Sequence, residues 1–194
     1  MPRRTAAEAE ETRKAVLAAA RRLFAQDGYN GVSVPGCAEA AGVTHGGLYH
    51  HYASKAILFK AVFHEVTEEL DAHVLERALT GASMRDGFLK GCRASIEYMT
   101  GSEYQQIALS DAPAVFGWNE WRTVDSDIGF PSMMGGLKAL ASDGLLKKAP
   151  DLTALGVLLF GGLTEAAIRV AKGDEATDVD AVIAGIDAII TGLS

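Results

Sequence analysis

Apolar residues recur every three to four positions along most of this 194-residue chain, which is the spacing of one face of an α-helix. No stretch alternates between apolar and polar residues as a strand would. The first helix is predicted from Glu10 to Gln26, and the pair Asp27-Gly28 ends it because glycine readily takes the left-handed conformation beyond a helix. Similar apolar faces follow to the C-terminus. The pattern therefore predicts an all-α protein of about nine helices.

Side chains that cap helices mark where most of these elements begin. Ser, Thr and Asp accept hydrogen bonds from the unpaired N–H groups of a first helical turn. A helix start is predicted after each of Ser33, Thr44, Ser54, Ser83, Asp151 and Asp178. The third of these starts opens a long helix, from Lys55 to about Leu79.

In the middle of the chain, the residues that start or end helices follow a less regular pattern. Ser102 followed by Gln105 resembles a capping box and predicts a short helix. Asp111-Ala112-Pro113 predicts a new start, for a helix that passes through Trp121. Gly129-Phe130-Pro131 predicts a kink or break in that helix, because proline removes a backbone donor.

The segment from about residue 33 to residue 52 predicts a helix-turn-helix motif. Two short helices flank Gly42, a residue small enough to let them cross closely, and the second helix presents short polar side chains that could enter a DNA major groove. Helix N-termini also offer free N–H groups to phosphates. The candidate DNA-contacting residues are Ser33, Thr44, His45, Gly46, Gly47, Tyr49, His50 and Lys55.

Charge and composition agree with a DNA-binding end on an acidic body. The net charge is -7, yet residues 1–55 carry seven basic and five acidic side chains, whereas residues 56–194 carry 11 basic and 20 acidic ones. Cys37 and Cys92 lie far apart in apolar helical patterns, which favours buried thiols over a disulfide or a metal site. The N-terminus has no signal-peptide pattern and Leu152–Val170 is interrupted by polar residues. We expect a cytoplasmic protein without a membrane span.

From Ala20 to Leu58 the chain resembles the TetR family of one-component transcriptional regulators, through the pattern AxxLFAxxGY…SV…AEAAGVxxGxLYxHYxSKxxL. The resemblance implies a DNA-binding domain at residues 10–70 and a ligand-binding and dimerisation domain at residues 71–194. It also implies that most of the candidate residues above touch phosphates of double-stranded DNA. Three positions depart from the family pattern: Gly36, His45 and Gly47 stand where other residues are frequent.

The C-terminal part contains aromatic, Met and Cys residues around interrupted helices, a composition that suits both a core and a ligand cavity. A few charged side chains, Glu120 among them, are candidate polar anchors. The predicted effector-binding residues are Phe88, Cys92, Ile96, Met99, Tyr104, Asp111, Phe116, Trp118, Trp121, Phe130, Met134, Glu165 and Arg169.

The last two predicted helices carry more apolar surface than one subunit covers, which predicts a homodimer. The predicted interface residues are Leu155, Leu159, Gly162, Leu163, Ala166, Val182, Ile186 and Ile189. Together these features predict a homodimeric repressor that binds a palindromic operator and is released by a small hydrophobic or aromatic effector.

Two alternatives stay open at this point: a helix-turn-helix regulator without an effector, and an all-α metal-dependent enzyme. No phosphate loop, nucleophile elbow, complete metal motif or catalytic carboxylate pair is present in the sequence. We therefore expect no enzymatic activity, no metal and no cofactor.

Overall fold

The computed structural model describes residues 6–149, 151–174 and 177–194, and these residues form nine helical segments and no strand. The prediction of an all-α fold is confirmed. The segments are α1 (Ala6–Gly31), α2 (Val34–Ala40), α3 (His45–His51), α4 (Lys55–Leu79), α5 (Met84–Met99), α6 (Ser102–Tyr104, Gln105–Asp111 and Ala112–Phe116 in one run), α7 (Trp118–Ser142), α8 (Leu152–Ala171) and α9 (Val179–Gly192).

The helix-turn-helix segment has the predicted local structure. Ser33, Thr44 and Ser54 each accept a hydrogen bond from the backbone N–H three residues further on, at 3.1–3.2 Å, and so cap α2, α3 and α4. Gly42 makes the turn between α2 and α3 with φ +66°, a conformation that costs glycine little. Tyr52 is buried beneath α3, as the apolar pattern predicts.

The caps of the later helices are confirmed as well. Ser83 Oγ accepts from the N–H of Asp86, whose carboxylate accepts in return from the N–H of Ala82, as in a capping box. Asp151 and Asp178 cap α8 and α9 through their carboxylates. These helix starts depend on hydrogen bonds between residues a few positions apart, which is why they can be predicted from the sequence.

A helix begins at Ser102 as predicted, but the predicted capping box and the predicted restart at residues 111–113 are wrong. Ser102 lies inside α6, and the side-chain amide of Gln105 donates to the carbonyl of Met99 at 2.7 Å instead of closing a capping box. The Asp111-Ala112-Pro113 stretch continues the helix through a π-helical segment. The chain breaks instead at Gly117, where φ is +80°. Proline is tolerated at 113 because it falls in the first turn after the π segment, where the hydrogen-bond pattern is already shifted.

α7 is not broken at Gly129-Phe130-Pro131 and runs on to Ser142. Pro131 has no N–H to donate, yet α7 packs against α4, α5 and α8. We attribute the continuity to these contacts, because tertiary packing can outweigh the local cost of a proline in a helix.

Five aromatic side chains bind the first half of α4 to its neighbours. The ring of Phe59 lies 4.9 Å from that of Phe24, 5.0 Å from that of Tyr29 and 5.6 Å from that of Phe116, while Phe63 lies 6.2 Å from Phe116. Phe24 and Tyr29 belong to α1, and Phe116 ends α6. The N-terminal helices and the C-terminal body therefore share one core, which α4 crosses.

Polar contacts reinforce the junction between α1 and α6. Arg21 pairs with Glu69 at 2.6 Å and with Glu103 at 2.8 Å. Near the end of α1, Asp111 Oδ2 accepts hydrogen bonds from the backbone N–H of Tyr29 at 2.7 Å and from Gln106 at 3.0 Å. Asp111 thus holds the turn that follows Gly28, where φ is +68° and the regular helix ends.

α8 is the one helix among the described residues that is long and apolar enough to cross a membrane, by length and composition only. It packs against α5 and α7 and turns Leu159, Leu163 and Ala167 into the core.

We expect Asp111→Ala to lower the free energy of unfolding by about 1–2 kcal/mol, because a part-buried N–H loses a charged acceptor. Chemical denaturation of the variant and of the wild type would measure the difference. Asp127→Ala, which removes an exposed aspartate of α7, is the control and should change stability far less. An Asp111→Ala protein as stable as the control would show that the junction does not depend on this carboxylate.

Candidate functional site

α3 presents a narrow polar face to solvent. Leu48 is fully buried under the helix, whereas Thr44, His45, Tyr49 and His50 are exposed on the outside. The rings of His45 and Tyr49, one turn apart, meet edge to face at 4.9 Å. This face therefore combines two ring systems that can donate hydrogen bonds with the capped N-terminus of a helix.

The two glycines of α3, Gly46 and Gly47, leave the start of this face without side chains. A β-carbon at Gly46 would meet no atom within 4 Å, and one at Gly47 would lie 3.1 Å from the Thr44 hydroxyl. Neither has a positive φ. The fold of the subunit therefore does not require glycine at 46, and the backbone of α3 is open to solvent there.

Lys55 and Ser33 lie on elements that flank α3. The Lys55 ammonium sits 4.2 Å from the centre of the Tyr29 ring, a cation–π contact that holds the side chain at the start of α4. Ser33 is exposed at the start of α2. The structure thus has three capped helix N-termini and one positioned cation around α3, which are groups of the kind that can bind phosphates.

Two of the four basic side chains of α1 are paired within the subunit, whereas Lys14 and Arg22 are exposed. Arg13 pairs with Glu10 at 2.8 Å and also donates to the Tyr52 hydroxyl at 3.3 Å, and Arg21 holds the glutamates at the junction described above. Arg3 and Arg4 lie outside the described residues. The pairs of Arg21, whose partners lie beyond residue 55, offset part of the positive excess of the N-terminal segment.

A cavity of about 500 Å³ opens between α4, α5, α7 and α8. Its volume is in the range that small-molecule sites occupy. Three of the predicted effector-binding residues line it: Phe88, Cys92 and Met99. Gly136 makes room for the Phe88 ring, since a β-carbon there would lie 2.8 Å from it.

The other predicted effector-binding residues lie elsewhere. Ile96 and Tyr104 are core residues, Phe116 belongs to the aromatic cluster on α4, and Trp121 is buried with its Nε1 donating to the carbonyl of Ala108. The remaining ones are outside the cavity lining: Asp111 at the junction, Trp118 on the surface, Phe130 and Met134 against α8, and the exposed ion pair of Glu165 with Arg169. Glu120 pairs with Lys60 at 2.6 Å.

Sequence reasoning missed the polar residues of the cavity. Thr67, Asp71, Asp125, Ser132 and Thr164 all line it. Thr67 and Asp71 lie one helical turn apart on α4, directly after the buried apolar residues Val66 and Leu70. Polar residues at this spacing on the border of an apolar stripe are a signal that could have found them.

Asp125 is a buried carboxylate, only 8% exposed. Burial raises its pKa to about 6, although Arg122, at 2.7 Å on the same helix, acts in the opposite direction. Burial also raises the pKa of the Cys92 thiol to about 12, so this side chain is neutral in the cavity at physiological pH. The described residues contain no group of three or more His, Cys, Asp or Glu side chains that could hold a metal ion.

Half of the predicted dimer-interface residues are core residues of the subunit: Leu159, Leu163, Ala166 and Ile186. Leu163 also lines the cavity. Leu155 and Val182 are half-buried, while Gly162 and Ile189 are exposed. The outward faces of α8 and α9 carry a different apolar set, which includes Val157, Leu158, Ala181, Ala184, Gly185 and Ala188.

We expect the stability of the wild type to fall relative to that of Asp125→Asn as the pH rises. The folded-state pKa lies above the unfolded value of about 3.9, so the folded protein binds more protons between the two values and loses stability as the pH rises through them. The groups nearest the carboxylate are Arg122 and the neutral hydroxyl of Tyr104.

Denaturant titrations should show the difference shifting by about 1 kcal/mol between about pH 5 and about pH 8. Asp127→Asn, an exposed aspartate of the same helix, is the control. A constant difference across that range would contradict the raised pKa.

Two family models match the chain. The model described as "Bacterial regulatory proteins, tetR family" matches residues 16–62, and the model described as "Tetracyclin repressor-like, C-terminal domain" matches residues 85–193. The first match covers most of α1, all of α2 and α3, and the start of α4. The second covers α5, α7 and α8, which are three of the four helices that enclose the cavity, together with α6 and α9.

Individual proteins give the same result. The crystal structure of a TetR-family transcriptional regulator from Pectobacterium atrosepticum is 34% identical, covers 98% of this chain and 97% of its own, and superposes with a TM-score of 0.80. The transposon Tn10 TetC protein of Escherichia coli is 25% identical over 171 residues, which are 87% of this chain and 85% of TetC. The HTH-type transcriptional regulator AcrR of Shigella flexneri is 44% identical over 63 residues, which are 32% of this chain but only 29% of AcrR. The chain belongs to the TetR family of helix-turn-helix transcriptional regulators.

Proposed function

We propose that this regulator binds a palindromic operator as a homodimer, represses transcription there, and leaves the operator when a small hydrophobic molecule occupies the cavity between α4, α5, α7 and α8. The observation that carries the proposal is the course of α4. Its first residue, Lys55, lies beside the DNA-reading helix, and its second half, from Thr67 to Leu79, lines the cavity.

Some of the proposed DNA contacts would fix the position of the protein on the duplex, and others would reach base edges. Ser33, Thr44 and Lys55 offer N–H groups, hydroxyls and one cation to phosphates, which fixes the position of the protein on the duplex. His45 and Tyr49 are the exposed rings on α3 that can reach base edges. His50, at the end of α3, adds a further donor for the backbone.

Release would follow from a difference in ligand affinity between two arrangements of α4. A ligand that contacts residues 67–79 more favourably in one arrangement shifts the population toward it. Because α4 crosses the proposed division between residues 10–70 and 71–194, such a shift also displaces Lys55 and α3. Coupling of about 1–3 kcal/mol is typical of such sites.

The proposed dimer uses the outward faces of α8 and α9. Leu158 is 72% exposed and Ile189 is also exposed. Such exposed apolar surface is unfavourable in water for a lone subunit. β-carbons at Gly162 and Gly185 would meet nothing within 4 Å, so a partner helix could approach both backbones closely. Two copies would then present two α3 helices to successive half-sites.

We expect the double variant His45→Ala/Tyr49→Ala to lose specific operator binding while its thermal stability stays near that of the wild type. Both rings are exposed and support no core contact. Operator and non-operator duplexes, titrated at several salt concentrations, would separate specific from electrostatic binding. His73→Ala, a histidine of α4 remote from α3, is the control, and unchanged operator affinity in the double variant would exclude α3 as the reading helix.

A second variant of the same helix sharpens this test. Gly46→Ala should raise thermal stability, because alanine favours a helix by about 1 kcal/mol over glycine and the added methyl group meets no atom of the subunit. If α3 lies against the DNA as proposed, the same methyl group should weaken operator binding. A Gly46→Ala protein that is more stable and binds equally well would show that the backbone at 46 does not approach the duplex.

We expect Leu158→Glu to convert the dimer to a folded monomer, because the side chain is exposed in the subunit and its burial between two subunits would leave a charge unpaired. Sedimentation velocity measures the change, and circular dichroism checks the fold. Leu79→Glu, which changes another exposed leucine at the far end of α4, should leave the oligomeric state unchanged. A dimeric Leu158→Glu protein would place the interface elsewhere.

A further inference from the structure

The cavity is elongated, with a polar closed end and an apolar mouth. It follows α4 from Thr67 to Leu79, which is about 18 Å at the rise of an α-helix. At the closed end Thr67 is 2% exposed and Asp125 is 8% exposed. At the mouth Leu79 is 87% exposed and Met84 is 53% exposed. A ligand that fills this cavity is therefore long, with its polar group inward and its apolar part toward the mouth.

The charged side chains of the cavity lining have one sign. Among the described residues that line it, Asp71 and Asp125 are acidic and none is Lys, Arg or His. The remaining polar groups are hydroxyls and the neutral Cys92 thiol. An anionic head group would lose its hydration at the closed end and meet no cationic side chain among the lining residues.

Arg122 compensates only part of this negative charge. Its guanidinium binds one oxygen of Asp125 at 2.7 Å and lies over the Phe160 ring at 5.0 Å, and it does not line the cavity. A carboxylate bound through one oxygen can accept further hydrogen bonds. Asp71 makes no ion pair with any other residue that the structure describes. The closed end therefore keeps a net negative charge.

Hydrogen-bond acceptors dominate the same end. Thr67 already donates its hydroxyl proton to the carbonyl of Phe63 and is hydrogen-bonded with the Tyr104 hydroxyl, so it has no proton left to donate to a ligand. Asp71 follows one helical turn along the same face of α4. An ammonium group, with three donors and one positive charge, matches this set better than a neutral hydroxyl with one donor.

We propose that the effector is an elongated lipophilic amine, with its ammonium held between Asp71 and Asp125 and its apolar chain running along α4 to Leu79 and Met84. This rests on the proposed function, since it names the chemistry of the ligand for the same cavity. The assignment excludes fatty acids and other long-chain anions as effectors. It makes Asp71 and Asp125 the residues that select the head group.

Three probes with one tail and different head groups test the proposal: decylamine, decanol and decanoate. Calorimetric titration into the full-length protein should show decylamine binding at least about tenfold more tightly than decanol, a difference that one charged contact can supply, and no measurable binding of decanoate. Asp71→Asn and Asp125→Asn should each weaken decylamine binding about fivefold or more and leave decanol unchanged. Glu165→Gln, which removes an exposed carboxylate outside the cavity, is the control and should change neither.

Each other outcome overturns the inference. Equal binding of all three probes would mean uptake by apolar contact alone, tighter binding of decanoate would reverse the charge argument, and no binding would exclude the ligand class. If Asp125→Asn fails to fold, Asp71→Asn on the half-buried face of α4 carries the test.

Operator binding is measured separately in the same samples. Release of the operator by decanol or decanoate but not by decylamine would refute the inference and leave the proposed function standing. Tight, Asp71-dependent binding of decylamine without operator release would support the ligand class and refute release by ligand.

Discussion

The packing of aromatic rings around the first half of α4 is the contact on which both ends of this protein depend. Phe59 meets Phe24 and Tyr29 of α1 on one side and Phe116 of α6 on the other, at ring distances of 4.9–5.6 Å. Large buried rings contribute most to the stability of such a junction, and close-packed interiors deform little. α4 therefore cannot move against α1 alone or α6 alone. Tyr29 extends the same cluster to the surface, where its ring holds Lys55.

The closed end of the cavity lies one helical turn from that cluster. Thr67 lines the cavity and donates its hydroxyl proton to the carbonyl of Phe63, whose ring packs on Phe116. Tyr104, at the start of α6, is buried beside Thr67 and Asp125. A ligand head group at this end would thus touch residues that directly support the junction, while the α6 residue Asp111 holds the turn before Tyr29. A continuous set of packed contacts joins the two sites, which supplies a physical route for coupling that variants at Asp111 and Thr67 can probe.

The parts that the sequence predicts well are those decided by neighbouring residues. Ser33, Thr44, Ser54, Asp151 and Asp178 cap helices because a side-chain oxygen reaches an N–H two or three residues away, whatever the rest of the fold does. The continuous run of α6 and the unbroken α7 at Pro131 were not predictable in this way, because packing against other helices overrides the local signals. The cavity shows the same limit. Composition predicted Phe88, Cys92 and Met99, whereas Asp71 and Asp125 lie on different helices and line one cavity only after those helices assemble. Half of the residues expected at the dimer interface are buried within the subunit. The sequence could not show this, because an apolar stripe does not reveal which neighbour covers it.

The composition of α3 bears on how this protein distinguishes one DNA sequence from another. Between Thr44 and Leu48 the helix offers one large side chain, His45, and two glycines whose side-chain positions are bare. Few donors and acceptors can therefore be matched to base edges, and each good base contact contributes only about 1–3 kcal/mol of discrimination. The contacts proposed for the capped N-termini and Lys55 are made to phosphates, which are present whatever the sequence. If only His45 and Tyr49 read base edges, as proposed, the geometry of the phosphates, which varies with groove width and bendability, would supply the rest of the discrimination. The proposed dimer would therefore be sensitive to the spacing of its two α3 helices, because that spacing is matched to the DNA. A displacement of α4 would then weaken operator binding by changing the spacing, because few base contacts besides those of His45 and Tyr49 would oppose it.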